Sequence, residues 1–472
     1  SEVDPLGHMT AMQYDLVGRL TGTTDPEGHT QGLTYDAAGQ LVSVTNGAGE
    51  ITSFTYDAAG RQTVIKDANA HSWTRAYDAE DRIVKTTDPK NRDTTYSYDL
   101  AGQRKKTVLA TGQEIAFGYD GAGQQTSVDP IGGTSATYEY SADGLLTRRM
   151  DSTGTLNLSY DQRGLLSSAT DQLGRTVSWT YDDASRLASR TVMGSTTTLL
   201  RDAVGNVTQA QDAAGNASWT YNKRSQPVAG TLPNGVTLAN AYDSAGRLTG
   251  VSYARSGSTL WFENLTYDDA DRLTGQAMPG DDRAFAYDAA DRLISESRNG
   301  STTSWTYDKV GNRLTETSSG STATNVYDVA DQLVTAGPSA FTYDAAGNLT
   351  KVTSGDTETT FGYDALGHLA SVSGSGKNWT VDVDADGQLL RYAGSDSGDY
   401  LYDRTSSAYQ LLGGSVNGQS FRYLTGALPY ARDKQPGTDA LIGDHLATPR
   451  GWANGAGVLV GGLQVNAWGV SA

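Results

Sequence analysis

Apolar and polar positions alternate along the chain in short runs, such as Gly32-Leu33-Thr34-Tyr35 and Leu41-Val42-Ser43-Val44-Thr45, and polar phrases rich in Asp, Gly and Asn close each run. Two-residue alternation between turn signals predicts strands of about five to seven residues. No window sustains the apolar period of an amphipathic helix, so an all-β chain is expected. An aromatic often stands two residues before a recurrent tyrosine, at Phe54, Phe117, Trp179, Trp219, Phe285, Trp305, Phe341 and Phe361. Residues i and i+2 of a strand share a face, so these rings and the tyrosines are expected to stack on one side of a sheet.

The closing phrases are themselves periodic. Tyr35-Asp36-Ala37-Ala38-Gly39 returns as Tyr56-Asp57-Ala58-Ala59-Gly60 and again as Tyr343-Asp344-Ala345-Ala346-Gly347. Tyr-Asp pairs at Tyr14, Tyr35, Tyr56, Tyr77, Tyr98 and Tyr119 are about 21 residues apart, a spacing that belongs to repeat architectures. Asp at the first turn position bonds a backbone N–H two residues on, and Gly takes the left-handed place. Asp81, Asp271, Asp291 and Asp331, or Ser185 and Ser225, replace that Gly in some copies; Asp tolerates the left-handed backbone better than most residues. A second turn phrase follows about ten residues later, as in Asp25-Pro26-Glu27-Gly28 and Asp88-Pro89-Lys90-Asn91, with Pro pre-setting the turn. Each unit is therefore a β-hairpin, and the units follow one another from 1 to about 400. Extra residues between Val251 and Glu263 predict a longer loop on one rim. From 401 to 472 the repeats degenerate.

Composition changes this picture little. The net charge of −18, from 36 basic and 54 acidic residues with no basic run, argues against a nucleic-acid partner. The absence of cysteine excludes disulfides and thiolate metal sites. Ser1-Glu2-Val3-Asp4-Pro5 begins in mid-repeat without a basic or apolar leader, and no stretch reads as a membrane span. The expectation is a fragment, a processed product or the ordered part of something longer.

Tyr-Asp-x-x-Gly-Arg-Leu-x-x-x-Thr-Asp-Pro-x-Gly, recurring with Leu20, Leu41, Leu248, Leu273, Leu293, Leu314 and Leu349 after the turns, resembles the RHS or YD-repeat family. That family includes bacterial RHS polymorphic toxins, the C components of insecticidal toxin complexes, and teneurins. Asp444-His445-Leu446-Ala447-Thr448-Pro449-Arg450 resembles the phrase that opens the RHS-associated core, with Ala447 where Gly is usual. Val465-Asn466-Ala467-Trp468-Gly469 resembles its close, with Asn466 where Asp is usual. The resemblance implies tandem hairpins in one long antiparallel sheet that spirals into a hollow shell. About 22 units at roughly 4.8 Å per strand give a ribbon about 200 Å long, or a ring about 65 Å across. It also implies a toxic C-terminal polypeptide as cargo, a secretion-system or delivery protein as a further partner, and a secreted or cell-surface location. The relatives' self-cleaving segment lies downstream of the core, so no residue here is assigned to cleavage.

The chemistry-bearing residues read as structural. His8, His29 and His71 share one repeat phase with Glu50, but equivalent positions lie about 10 Å apart along a sheet, too far to share a metal. They are expected as solvent-exposed turn residues, and His368 likewise. Asp182-Asp183, Asp268-Asp269 and Asp281-Asp282 lack the pattern of a calcium loop and are expected to cap turns. Adjacent Asp444 and His445 point to opposite faces, against a nucleophile triad. No catalytic, cofactor or metal residue is assigned. The expected function is an encapsulating shell, not an enzyme. The alternatives are an adhesin or carbohydrate-binding module with Trp179, Trp219 and Trp305 as glycan-stacking aromatics, and an enzyme acting on an extracellular polymer.

Overall fold

The structure is a computed structural model that describes residues 1–374, 376–405, 410–425, 429–434, 438–443, 449–453 and 459–462. It is all-β, one long antiparallel sheet in which strands pair with their neighbours in the chain. Among the described residues the only helical element is the 3-10 turn Pro233–Gly235, and no helix is long and apolar enough to cross a membrane.

One hairpin explains the rest. Strand Thr30–Tyr35 pairs with Leu41–Thr45, and the register slips at Tyr35, which faces Leu41. Between them Gly39 donates to the Asp36 carbonyl and Asp36 to that of Gln40, with Gly39 at φ +87°. A tight turn followed by a left-handed residue is the bulged hairpin that lets strong strand twist continue. The substitutes adopt the same backbone: φ is +64° at Asp81, +65° at Asp271, +61° at Asp291 and +60° at Asp331.

One reading of the sequence is corrected here. The extra residues around Val251 form no long loop; they lengthen the strands Leu248–Arg255 and Ser258–Tyr267, joined through Ser256 and Gly257, both at positive φ. Such a two-residue turn matches strand twist, so added length enters the ladder. Asn299-Gly300 and Asn417-Gly418 turn in the same way.

The chain divides into two compact units, Ser1–Ala116 with Asp243–Arg247 and Asn264–Phe361, and Phe117–Tyr242 with Leu248–Glu263 and Gly362–Ala472. Among the described residues the first buries few apolar side chains, Ile115, Leu265, Met278 and Trp305, and its turns carry many ion pairs. The second has an apolar core of Leu156, Ala169, Val177, Trp179, Val192, Leu401 and Leu412. In strand Thr176–Tyr181 the buried Val177 and Trp179 alternate with less buried neighbours, as one packed face requires. The meander continues past position 400, where Ser397–Asp403 pairs with Gln410–Val416.

Candidate functional site

Each hairpin leaves a turn at either end of its strands, and these turns carry most of the charged chemistry. Asp36 Oδ1 accepts from the backbone N–H of Ala38 and Gln40, at 2.9 and 2.8 Å. Where arginine follows the turn, its guanidinium adds to the cap: Arg61 Nη2 lies 2.7 Å from Asp57 Oδ2 and holds that carboxyl below its usual range. The same arginine reaches the next repeat, donating to the Asp78 carbonyl at 2.8 Å and lying 5.0 Å from the Tyr77 ring centroid. Arg19, Arg82, Arg247, Arg272 and Arg292 cover Tyr35, Tyr98, Tyr267, Tyr287 and Tyr307 in the same way.

The tyrosine completes the link. Tyr35 donates its phenol proton to the Leu20 carbonyl at 2.8 Å, and Tyr56 to the Leu41 carbonyl at 2.7 Å. Burial raises the Tyr287 phenol above its usual range, which keeps it a donor. A repeat is thus locked to its neighbour by cap, guanidinium and phenol together. The arginine was missed as a bridging group, although its recurrence after the turn glycine was visible.

Within the first unit a second set of contacts joins residues some 240 positions apart. Turns of 1–116 face Tyr-Asp turns of 264–361. Lys90 Nζ reaches Asp328 at 2.8 Å, Arg292 reaches Glu50 at 3.1 Å, Asn69 donates to Asp308 at 3.0 Å, and His8 Nε2 lies 3.2 Å from Asp269. Gly47 makes the closest backbone approach, since a Cβ there would stand 1.9 Å from the Ala289 carbonyl oxygen.

His8, His29 and His71 are therefore not solvent-exposed turn residues. Their side chains are 21, 27 and 25 % exposed, and they meet carboxylates in pairs, Asp4 and Asp271, Asp25 and Asp291, Asp67 and Asp331, with Asp269 a third at His8. The distance along the sheet does separate the three imidazoles. The second carboxylate comes from across the joint, from the very aspartates that replace the turn glycine, and spacing along the sheet does not reveal it.

The second unit joins 117–242 to 362–472 with buried pairs. Arg149, 1 % exposed, lies 2.7 Å from Asp384, which is fully buried, and also contacts Asp386 and Asp151. Burial alone would raise the Asp384 carboxyl, but Arg149, backbone N–H and Arg404 hold it below its usual range. Arg422 grips Asp212 with two bonds of 2.7 and 2.9 Å. His368 is half-buried rather than exposed, 3.3 Å from Asp364, which raises the imidazole pKa.

The aspartate pairs divide. Asp182 and Asp268 cap turns. Asp281 does not; it is buried at a strand end, where Arg283 and Arg298 claim its carboxylate at 2.5 and 2.7 Å. Trp179, Trp219 and Trp305 are 3, 7 and 4 % exposed, leaving no open ring face on which a pyranose could stack. Asp444, His445 and Thr448 lie outside the described residues, and Pro449 and Arg450 fall in the strand Pro449–Ala453.

The RHS Repeat family model matches residues 1–30, 35–72, 77–115 and 160–198, and the Teneurin YD-shell model matches residues 256–387. No curated protein matches. Among solved structures, the crystal structure of TcdB2-TccC3 superimposes with a TM-score of 0.71 at 14 % identity, over 99 % of this chain and 31 % of that one. TcdB2-TccC3 without the hypervariable C-terminal region gives 0.70 at 15 % identity, over 99 % and 30 %. The TcdB2-TccC3-TEV structure gives 0.70 at 14 %, over 99 % and 32 %. This chain therefore spans about a third of the length of the structures it matches, and identity this low makes the likeness one of fold.

Proposed function

Because the chain belongs to the RHS/YD-repeat family, we propose that it forms wall of a hollow β shell of the RHS toxin type, which sequesters a toxic polypeptide until delivery. The observation that carries this reading is the rim-to-rim joint inside each unit. A ribbon of hairpins has two rows of turns; contacts between stretches some 210 to 240 residues apart fasten one part of the ribbon to another within each unit, as a wall requires. A wall of this kind acts by exclusion. It keeps a cargo from proteases and from the producing cell, and it needs no catalytic residue.

Two further points support it. The caps, arginines and tyrosines satisfy the turn groups locally, so the sheet can be long without a thick apolar core. One similar structure is described as lacking a hypervariable C-terminal region, which fits a constant wall with a variable occupant. The test is intact-mass analysis of the protein purified from its own host, native and denatured. A second polypeptide retained natively and released on denaturation is expected; a single unaccompanied species, with no protease-protected fragment, would reject cargo sequestration.

A further inference from the structure

We propose that Asp67, His71 and Asp331 form a binding site for one divalent transition-metal ion of the zinc class, which ties residues 1–116 to residues 264–361 within the first unit. The inference goes beyond the shell reading and does not rest on it.

Three sets of one imidazole and two carboxylates recur along this joint, each with its ligand atoms within 4.8 Å of one another. They differ in what neutralises the carboxylate in the left-handed turn position. At the first, Arg247 Nη1 holds Asp271 at 2.6 Å, and at the second Arg272 Nη1 holds Asp291 at 2.8 Å. A guanidinium bonded to a ligand oxygen competes with a cation for it, so these two sets are closed by arginine. At the third, Asp331 accepts only from the neutral Asn312 amide, at 2.9 Å. Among the described residues no arginine or lysine pairs with Asp67 or Asp331.

The third set also holds unmet polar atoms. Asp67 Oδ2 and His71 Nδ1 are both buried and lack a hydrogen-bond partner, although they stand 3.5 Å apart. Asp67 Oδ1 is already engaged by the His71 backbone N–H at 2.7 Å, which fixes the carboxylate with its second oxygen turned to the imidazole. Buried groups in a native structure are ordinarily satisfied, and two carboxylates brought together without an arginine or lysine favour a cation between them. One imidazole nitrogen and two carboxylate oxygens suit zinc, whose ligand atoms stand about 3.3 Å apart around the ion; closing from the present spacing takes a shift on the order of 1 Å. At the Glu50 position of the same row, where acid stands in place of histidine, the partner is Arg292. A cation thus serves each of these positions, and at the third it is the metal.

Asp331→Gly gives a clean test. It removes one ligand and installs the residue most other repeats carry at that left-handed position, so the fold is kept or eased. The whole chain, stripped with chelator, is titrated with zinc sulfate and with cobalt, reading metal content, cobalt absorption and melting temperature. One zinc per chain is expected, with an upward shift of about 3 °C or more. Asp331→Gly and His71→Ala should lose both, and Asp271→Gly and Asp291→Gly should retain them. Zinc binding unchanged in Asp331→Gly, three equivalent zinc ions per chain, or no zinc response would overturn the proposal.

Discussion

Arg272 Nη1 lies 2.8 Å from the carboxylate of Asp291, the residue one repeat further on that occupies the left-handed place of a turn glycine. The same guanidinium caps Asp268 at 2.7 Å and lies 5.2 Å from the Tyr287 ring. One side chain thereby fastens two turns and a tyrosine. Arg272→Lys keeps the charge but loses the fork and the stacked plane, and should cost about 1 kcal/mol. Urea denaturation followed by tryptophan fluorescence reads this; a lysine variant as stable as the parent would reduce the arginine to surface decoration.

Arg149 and Asp384 are both almost wholly buried, and the cost of breaking that pair should be large. Arg149→Ala leaves the buried Asp151 without its cation and Asp384 with Arg404 alone, and a loss of about 3 kcal/mol is expected. Removing the opposing charge should recover part of it. A double variant Arg149→Ala with Asp384→Asn that is no more stable than the single one would argue against an electrostatic origin.

Gly47 separates steric from conformational need. An alanine Cβ there would meet the Ala289 carbonyl oxygen at 1.9 Å, so Gly47→Ala must push two backbones apart, at about 1 to 3 kcal/mol. At Gly28, φ is +88° and nothing lies within 4 Å, so Gly28→Ala should cost only the left-handed backbone, roughly 1 kcal/mol. Thermal melts of the two variants should differ, and limited proteolysis should find the first unit opened only in the Gly47 variant.

The pH dependence follows from opposite shifts. Asp212, Asp281 and Asp384 are held below the usual 3.8 despite burial, because arginines favour the charged form. Their contribution is complete above that value and is lost as pH falls through the lower folded values. His368 is raised above 6.5 by Asp364, so its contribution is complete below 6.5 and is lost as pH rises through the folded value. The urea midpoint should drop steeply below about pH 4 and decline slightly above about pH 6.5. His368→Asn should remove the alkaline decline and leave the acid limb unchanged.

What was legible in the chain is what one repeat does alone. The Asp36 cap, the left-handed Gly39 and the strands on either side are local, and local chemistry specifies them. Partners across the joints were not legible, because Lys90 and Asp328, or Arg422 and Asp212, are 238 and 210 residues apart and nothing near either signals the other. Asp271, Asp291 and Asp331 show the difference. Their backbone tolerance could be read from the repeat, while their facing histidines depend on how far the ribbon travels before its rows of turns meet. The strand extension at Leu248–Arg255 is hidden for a simpler reason: Ser256-Gly257 completes a turn in two residues, so the extra residues on either side enter the strands instead of a loop.

The most direct test of the shell is electron cryomicroscopy of the protein purified from its own host. The account predicts a continuous strand-ridged wall around a lumen that contains density unassigned to the wall. A solid rod, or an open ribbon whose turn rows stand apart, would contradict it.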